Sequence, residues 1–289
     1  MTDVYDLHSH STASDGALAP AELVRRAHQQ GVTTLALTDH DTAAGLDEAG
    51  NAARALGIKL IPGIELSSSW QGQCFHIVGL GVDPSYPPLV QATDSLQKTR
   101  LLRAEKIADK LAKKHMPGAL DAVIKAAGAG MITRTHFADF LVEQQFVSSS
   151  QEAFDRYLAK GKPAYVATPW AELAQAVSWI TESGGVAVLA HPLRYKLSAS
   201  AMRRLLVVFK SAGGQGIEVV TGRCSEEEIS RVTSVALSHG LAGSVGSDFH
   251  SPNNQWVELG RLAPLPGRIT PVWQLLDGHQ MSMNSIGNP

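Results

Sequence analysis

Cysteine is nearly absent: Cys74 and Cys224 are the only two in 289 residues, and they lie far apart. They form neither a CxxC pair nor a disulfide framework. No apolar run approaches the ~18 residues of a membrane span, and the opening MTDVYD lacks the basic and apolar stretches of a signal peptide. Excess charge is missing too, since 25 Lys+Arg against 27 Asp+Glu leaves −2. That balance argues against a general polyanion-coating surface while leaving room for a local basic pocket. Internal repeats and low-complexity tracts are also lacking. Together these absences predict a cytoplasmic protein without a membrane span. It is long enough to bury a sizeable core as one large α/β domain, or one domain plus an insertion.

What is present is an alternation of short apolar runs with helical patterns. The runs at 4–10, 33–38, 59–66, 74–82, 186–191, 216–221 and 241–247 predict strands. Helices are predicted at 20–30, between Pro20 and Gly31, and from Pro169 to about Ser183. A third, at 226–238, opens on the Ser225/Glu228 capping box and closes at Gly240. Such alternation means a parallel sheet, open or closed into a barrel. Two features break it. The stretch between Glu65 and His76 is too short for a helical crossover, so those segments are expected to pair as an antiparallel hairpin and distort any barrel. Residues 87–166 read as consecutive helices, with Leu96, Leu101, Leu102, Ile107 and Leu111 near a helical period in the first. The expected organisation is therefore a barrel domain of 1–86 and 167–289 carrying a helical, substrate-binding insertion at 87–166.

The chemistry gathers at the strand ends. In DLHSHSTASDG, His8 and His10 sit at i and i+2 and project from one face of a strand, with Asp15 in the following loop. LTDHD places His40 after the next strand, PGIE places Glu65, and CFHIVGL holds His76. AHP ends the following strand on His191, and GSDFH ends the last on Asp248 and His250. Four of the eleven histidines, His28, His115, His239 and His279, fall in or near helix ends and read as solvated. Taken singly, each strand-end residue is more simply a satisfied core histidine or a capping aspartate. Nine at equivalent places is another matter, because barrels build their sites at strand C-termini and buried charge is costly unless paired or metal-bound. Six imidazoles, three carboxylates and no thiolate suit Mn²⁺ first, with Fe²⁺ or Zn²⁺ as alternatives. Nine ligands exceed the needs of one ion, so two or three clustered divalent ions are expected.

In this order, DLHSHSTASDG, LTDHD, PGIE, AHP and GSDFH resemble the motifs of the PHP (polymerase and histidinol phosphatase) family, from the first strand to His250. The resemblance implies a distorted seven-stranded (β/α) barrel of the α/β class with a two- or three-metal site. It implies His8, His10, Glu65 and Asp248 around one ion, Glu65, His76 and His191 around a second, and Asp15, His40 and His250 around a third. It further implies a phosphoesterase in which a metal-bridging hydroxide attacks phosphorus, with no side chain assigned as general acid.

Basic residues outside the ligand set are the candidate substrate contacts. Arg194 follows His191 by three positions and offers a guanidinium to phosphate. Arg134, Thr135 and His136 open a helix, where an anion can dock. Lys162 lies beside the turn returning to the barrel, and Arg100 and Arg103 share a helix face. The RTHFA helix and the GKPAYV return resemble a PHP subgroup that removes the 3'-phosphate of nucleoside 3',5'-bisphosphates and acts on short RNA 5' ends. The implied partner is a small phosphorylated nucleotide or short RNA, with no obligate protein partner evident. The alternatives are a histidinol-phosphate phosphatase, a noncatalytic or proofreading polymerase module (disfavoured because the chain stops at residue 289), and an amidohydrolase acting on C–N bonds.

Overall fold

The computed structural model describes residues 3–276, so His279 lies outside the described residues. The sheet is built from β1 (Tyr5–Asp6), β2 (Thr34–Leu37), β3 (Lys59–Trp70), β4 (Gln73–Leu80), β5 (Ala171–Glu172), β6 (Val186–Leu189), β7 (Gly216–Thr221) and β8 (Ala242–Gly246). The spatial order is β1-β2-β3-β4-β6-β7-β8, with β5 paired to β3 off this path. The Leu7 N–H donates to the Val245 carbonyl and Ser9 bridges Phe249, which brings β8 back to β1 and nearly closes a seven-stranded barrel. Every neighbouring pair on the path is parallel except those made by β4, which runs antiparallel to both β3 and β6. The expected hairpin is the reason. Trp70 pairs with Gln73 across a two-residue turn, and Gln71 and Gly72 take φ of 49° and 71°, the left-handed pair that matches strand twist.

Helices α1 (Pro20–Gln29), α2 (Leu46–Leu56), α7 (Leu173–Glu182), α8 (Ala199–Ser211) and α9 (Glu226–His239) belong to the barrel. The Ser225/Glu228 box caps α9 as predicted, with Gly240 left-handed at its end. The helix predicted from Pro169 begins only at Leu173. Ala171 and Glu172 instead pair with Ser68 and Ser69, because β3 overhangs the barrel and offers them an unpaired edge.

Between β4 and β5 run α3 (Pro87–Ala112), α4 (Ala119–Ala127), α5 (Arg134–Glu143) and α6 (Ser150–Ala153), the last continuing into a wider helical turn at Phe154–Leu158. These elements bury an apolar cluster of their own, including Ile107, Leu111, Phe137, Leu141 and Leu158. Leu89 and Leu96, near the start of α3, join the main barrel cluster with Val177 and Ile180 of α7, so α3 belongs to both. The buried stripe of α3 is Leu89, Ala92, Leu96, Arg100, Ala104, Ile107 and Leu111. Leu101 and Leu102, predicted on the apolar face, are 42% and 56% exposed; a guanidinium holds the position they were expected to fill. No helix among the described residues is long and apolar enough to cross a membrane.

Candidate metal centre

The opening strand is regular only over Tyr5–Asp6, yet its continuation carries the first two histidines to the barrel mouth. The His10 N–H donates to the Phe249 carbonyl (2.9 Å) and the Asp248 N–H to the His8 carbonyl (2.8 Å), so β1 and β8 deliver their side chains to the same spot. His40 and Glu65 are likewise bridged past the end of β2. Two glycines make the approach possible: a Cβ at Gly246 would lie 2.3 Å from the His8 Cβ, and one at Gly16 would lie 2.2 Å from the His10 carbonyl oxygen. The loop bearing Asp15 is fixed by Asp39, which accepts from the Ser11 N–H (2.8 Å), the Ser11 hydroxyl (2.7 Å) and the Ser14 hydroxyl (2.6 Å). Across that loop the Thr135 hydroxyl donates to Asp15 Oδ2 at 2.9 Å.

All nine predicted residues converge. Glu65, fully buried, has five imidazoles around its carboxylate. Oε2 lies 3.3 Å from His8 Nε2, 3.4 Å from His10 Nε2 and 2.8 Å from His40 Nδ1. Oε1 lies 3.1 Å from His76 Nδ1 and 3.2 Å from His191 Nε2. Asp248 Oδ1 is 3.4 Å from His8 and 3.2 Å from His10. Asp15 Oδ1 is 3.3 Å from His250 and 3.8 Å from His40. Among the described residues, ligand-type atoms close enough to share an ion form three groups: His8, His10 and Glu65; His40, Glu65 and His76; and His10, Asp15, His40 and His250. This division differs from the one expected. His40 stands with Glu65 and His76 as well as with Asp15, and His10 reaches two groups.

The donor set fits ions better than hydrogen bonds. Glu65 Oε2, His40 Nδ1 and His76 Nδ1 are buried with no hydrogen-bond partner, although opposed atoms lie close by. The Nε2 atoms of His8 and His10 face one another at 3.0 Å. Lone pairs directed at common points are what a divalent ion satisfies. Without an ion the cluster balances its charge by protonation. Burial disfavours the charged form of His8, but Glu218, Glu65 and Asp248 overcome this and hold its pKa well above the ordinary value. Burial also opposes the charge on His76, which Glu65 pulls up to about 10, and on His250, which Asp15 and Asp248 pull up to about 10. Burial dominates at His40 and pushes it down to about 4. For Glu65, burial raises the pKa and the surrounding imidazoles lower it well below the ordinary carboxylate value.

The sequence did not single out Glu218 or Asp41, and it offered Arg100 as a substrate contact rather than as part of the scaffold that holds this arrangement. Glu218, from the apolar strand β7, accepts from His8 Nδ1 through Oε1 and from the His191 backbone N–H through Oε2, both at 2.6 Å. His191 needs such a tether, since its φ of 28° is unfavourable for an L-residue. Asp41, also left-handed at φ 54°, accepts from the Ser67 N–H at 2.6 Å and from Arg100 Nε at 2.7 Å. Arg100 Nη2 reaches the Ser67 hydroxyl at 3.0 Å, so α3 is tied to the barrel beside the cluster. One signal was available for Glu218 and another for Arg100: a lone charge in an otherwise apolar run or stripe.

The predicted substrate contacts divide. A cavity of about 540 Å³ opens against Asp15, His40 and His76 and runs between barrel and insertion to Arg100, Arg103, Arg134 and Thr135. Arg103 stacks on Trp170 at 5.3 Å and Arg134 on Phe154 at 5.8 Å, and among the described residues neither pairs with a carboxylate. Burial and the neighbouring Arg134 and Arg100 charges push Arg103 down to about 9. The start of α5 is occupied by its own cap: Thr133 Oγ1 accepts the Thr135 N–H, and His136 Nδ1 accepts the Thr133 N–H. Neither His136 nor the exposed Lys162 lines the cavity. Arg194 contacts Asp248 Oδ2 with its side chain 56% exposed, outside the cavity.

Comparison with known proteins gives this geometry its context. The PHP domain model matches residues 6–180. The 5'-3' exoribonuclease Rnm of Escherichia coli (strain K12) is 44% identical over 279 residues, spanning 96% of this chain and 95% of that protein. A 3',5'-nucleoside bisphosphate phosphatase of Chromobacterium violaceum is 42% identical over 273 residues, 94% of this chain and 96% of that one. A solved structure from the same organism, described as an amidohydrolase with bound sulfate and no metal, superposes with a TM-score of 0.91 at 42% identity over 95% and 96% of the two chains. A candidate metal-dependent phosphoesterase from Bifidobacterium adolescentis superposes with a TM-score of 0.80 at 26% identity, covering 96% of each chain. Motif order, barrel and relatives agree, and the chain belongs to the PHP domain family of phosphoesterases.

Proposed function

We propose that this phosphoesterase removes the 3'-phosphate from nucleoside 3',5'-bisphosphates and also acts at the 5' ends of short RNA. Its nine ligands would be His8, His10, Asp15, His40, Glu65, His76, His191, Asp248 and His250, holding two or three divalent ions, Mn²⁺ foremost. Such ions, when bound, supply a water-derived nucleophile at neutral pH and neutralise charge on the phosphate oxygens. The chain's own residues do the rest. Glu218 and Asp39 hold the ligand-bearing segments in register, and Arg194, beside Asp248, is placed to draw phosphate oxygens to the cluster from the open side.

One observation carries the substrate assignment: a single cavity joins three proposed ligands to Arg100, Arg103 and Arg134. Among the described residues Arg100 alone of the three has a carboxylate partner, leaving the other two guanidiniums to receive an anion away from the cluster. A substrate with two phosphates suits that layout. Phe154, Tyr165 and Trp170 add aromatic surface for a base between the two ends. A histidinol phosphate reading needs a carboxylate for the substrate amine. The cavity offers Asp15, engaged with His250 and Thr135, and Glu172, exposed at its edge. The relatives' names favour the same substrates, and the second, RNA-directed activity rests on the exoribonuclease relatives.

Phosphate or nucleotide release with Mn²⁺ from adenosine 3',5'-bisphosphate, AMP, histidinol phosphate and a short 5'-phosphorylated RNA tests the assignment. Turnover of the bisphosphate well above AMP is expected. Turnover of histidinol phosphate alone would make the substrate reading wrong.

A further inference from the structure

The cavity accommodates a ligand of small-molecule size and is walled by residues 133–135, 154 and 165–170 on the insertion side. A strand whose 5' nucleotide sits there, with its first phosphodiester at the cluster, runs on past the cluster. The far side is formed by the ends of β6, β7 and β8. Arg194 stands there against Asp248. Arg223 follows two residues after the end of β7, where the Gly222 N–H donates to the Gly246 carbonyl at 3.0 Å and brings the β7 end beside Ser247 and Asp248. Trp256 follows His250 by six residues, a span of at most roughly 20 Å. The Asn254 N–H to Ser251 carbonyl bond (3.1 Å) folds that span into a turn, and Asn254 Oδ1 accepts the Trp256 N–H at 3.1 Å.

At this rim the Arg223 guanidinium lies 4.3 Å from the centroid of the Trp256 ring. Trp256 is 69% exposed, more than any other large apolar residue among those described. With one ring face covered by the guanidinium, that exposure leaves the other face to solvent. An indole stacked on a cation and left largely exposed is a poor core element and a good stacking surface for a nucleobase.

We propose that Trp256 and Arg223 form a stacking platform for a base of single-stranded RNA, downstream of the nucleotide in the cavity, with Arg223 facing the adjoining phosphate. The path runs from the arginine-lined cavity across the cluster, past Arg194, to Trp256. This inference rests on the proposed action on RNA 5' ends and adds a site that a mononucleotide bisphosphate does not reach. The platform reads no sequence, because every base has a π-face.

Binding of a short 5'-phosphorylated, 3'-fluorescent oligoadenylate, followed by anisotropy in chelator, tests the site apart from turnover. Trp256→Ala should weaken that binding about tenfold, and Trp256→Phe should keep most of it. With Mn²⁺, Trp256→Ala should raise KM for the oligonucleotide similarly while leaving turnover of adenosine 3',5'-bisphosphate unchanged. No oligonucleotide binding by the wild type, no change in Trp256→Ala, or equal losses on both substrates would each overturn the platform. Oligonucleotide binding that depends on Trp256, without phosphate release from the bisphosphate, would uphold the platform and count against the proposed phosphatase reaction.

Discussion

Glu65 is the residue around which the candidate centre is organised. A carboxylate at the base of a barrel mouth, touched by five imidazoles, is affordable only because those imidazoles compensate its burial. The less visible partner is Glu218, whose two oxygens address two different strand ends at once. By accepting from His8 Nδ1 it directs Nε2 at the cluster, and by accepting from the His191 N–H it stabilises a backbone that would otherwise relax. Glu218→Gln keeps the shape but replaces one acceptor with a donor. We expect a loss of Mn²⁺ affinity of about tenfold or more, measured by calorimetry, with little change in far-UV dichroism. Unchanged affinity would show that the imidazole and the strand end need no such tether.

At the scale of elements, α3 is the strut between barrel and insertion. Its stripe of small and aliphatic residues is interrupted by Arg100, which is 4% exposed and pairs with the fully buried Asp41. A cation in that position is tolerable because Asp41, Ser67 and the Ile132 carbonyl accept its hydrogen bonds and Trp170 lies under it at 5.2 Å. Arg100→Ala leaves Asp41 buried without its counter-charge, which costs about 3 kcal/mol. It should lower the unfolding midpoint and also raise KM for a nucleoside bisphosphate, since Arg100 lines the cavity. Loss of stability without any effect on KM would confine Arg100 to the strut. The pattern of α3 was legible as a helix from its period. Its inward face was not, because Leu101 and Leu102 counted as apolar while the buried position fell to an arginine whose partner lies 59 residues away.

For the whole molecule, the candidate cluster is expected to link folding to metal and pH. In the metal-free protein His76 and His250 are held up to about 10, so both are protonated at pH 7. A pKa raised above its unfolded value adds stability that is fully present below about 6.5 and lost as pH climbs towards 10. A metal binds the neutral imidazole, so loading near neutral pH should release protons, and apparent affinity should rise with pH. We expect chelation to lower Tm by several degrees, and more at pH 9 than at pH 7. Calorimetry in buffers of different ionisation enthalpy counts the protons, and thermal melts with and without chelator give the stability. A Tm indifferent to chelator at both pH values would sink the metal cluster.

The amino-acid order alone determined the strand–helix alternation, the hairpin between Glu65 and His76, and the placing of nine ligand-type residues at strand ends. These follow from local rules: periodicity, capping and the length a crossover needs. Tertiary structure alone decided how these ligand-type residues are grouped. It set His40 between two groups, made Glu218 the tether of His8 and His191, and closed the start of α5 with its own cap. It also separated the predicted cations, taking Arg103 and Arg134 into the cavity and leaving Lys162 outside it. The reason is physical: periodicity reports which face of an element a residue occupies, whereas a partner hundreds of residues away is chosen by barrel closure and by the cost of leaving a buried charge alone.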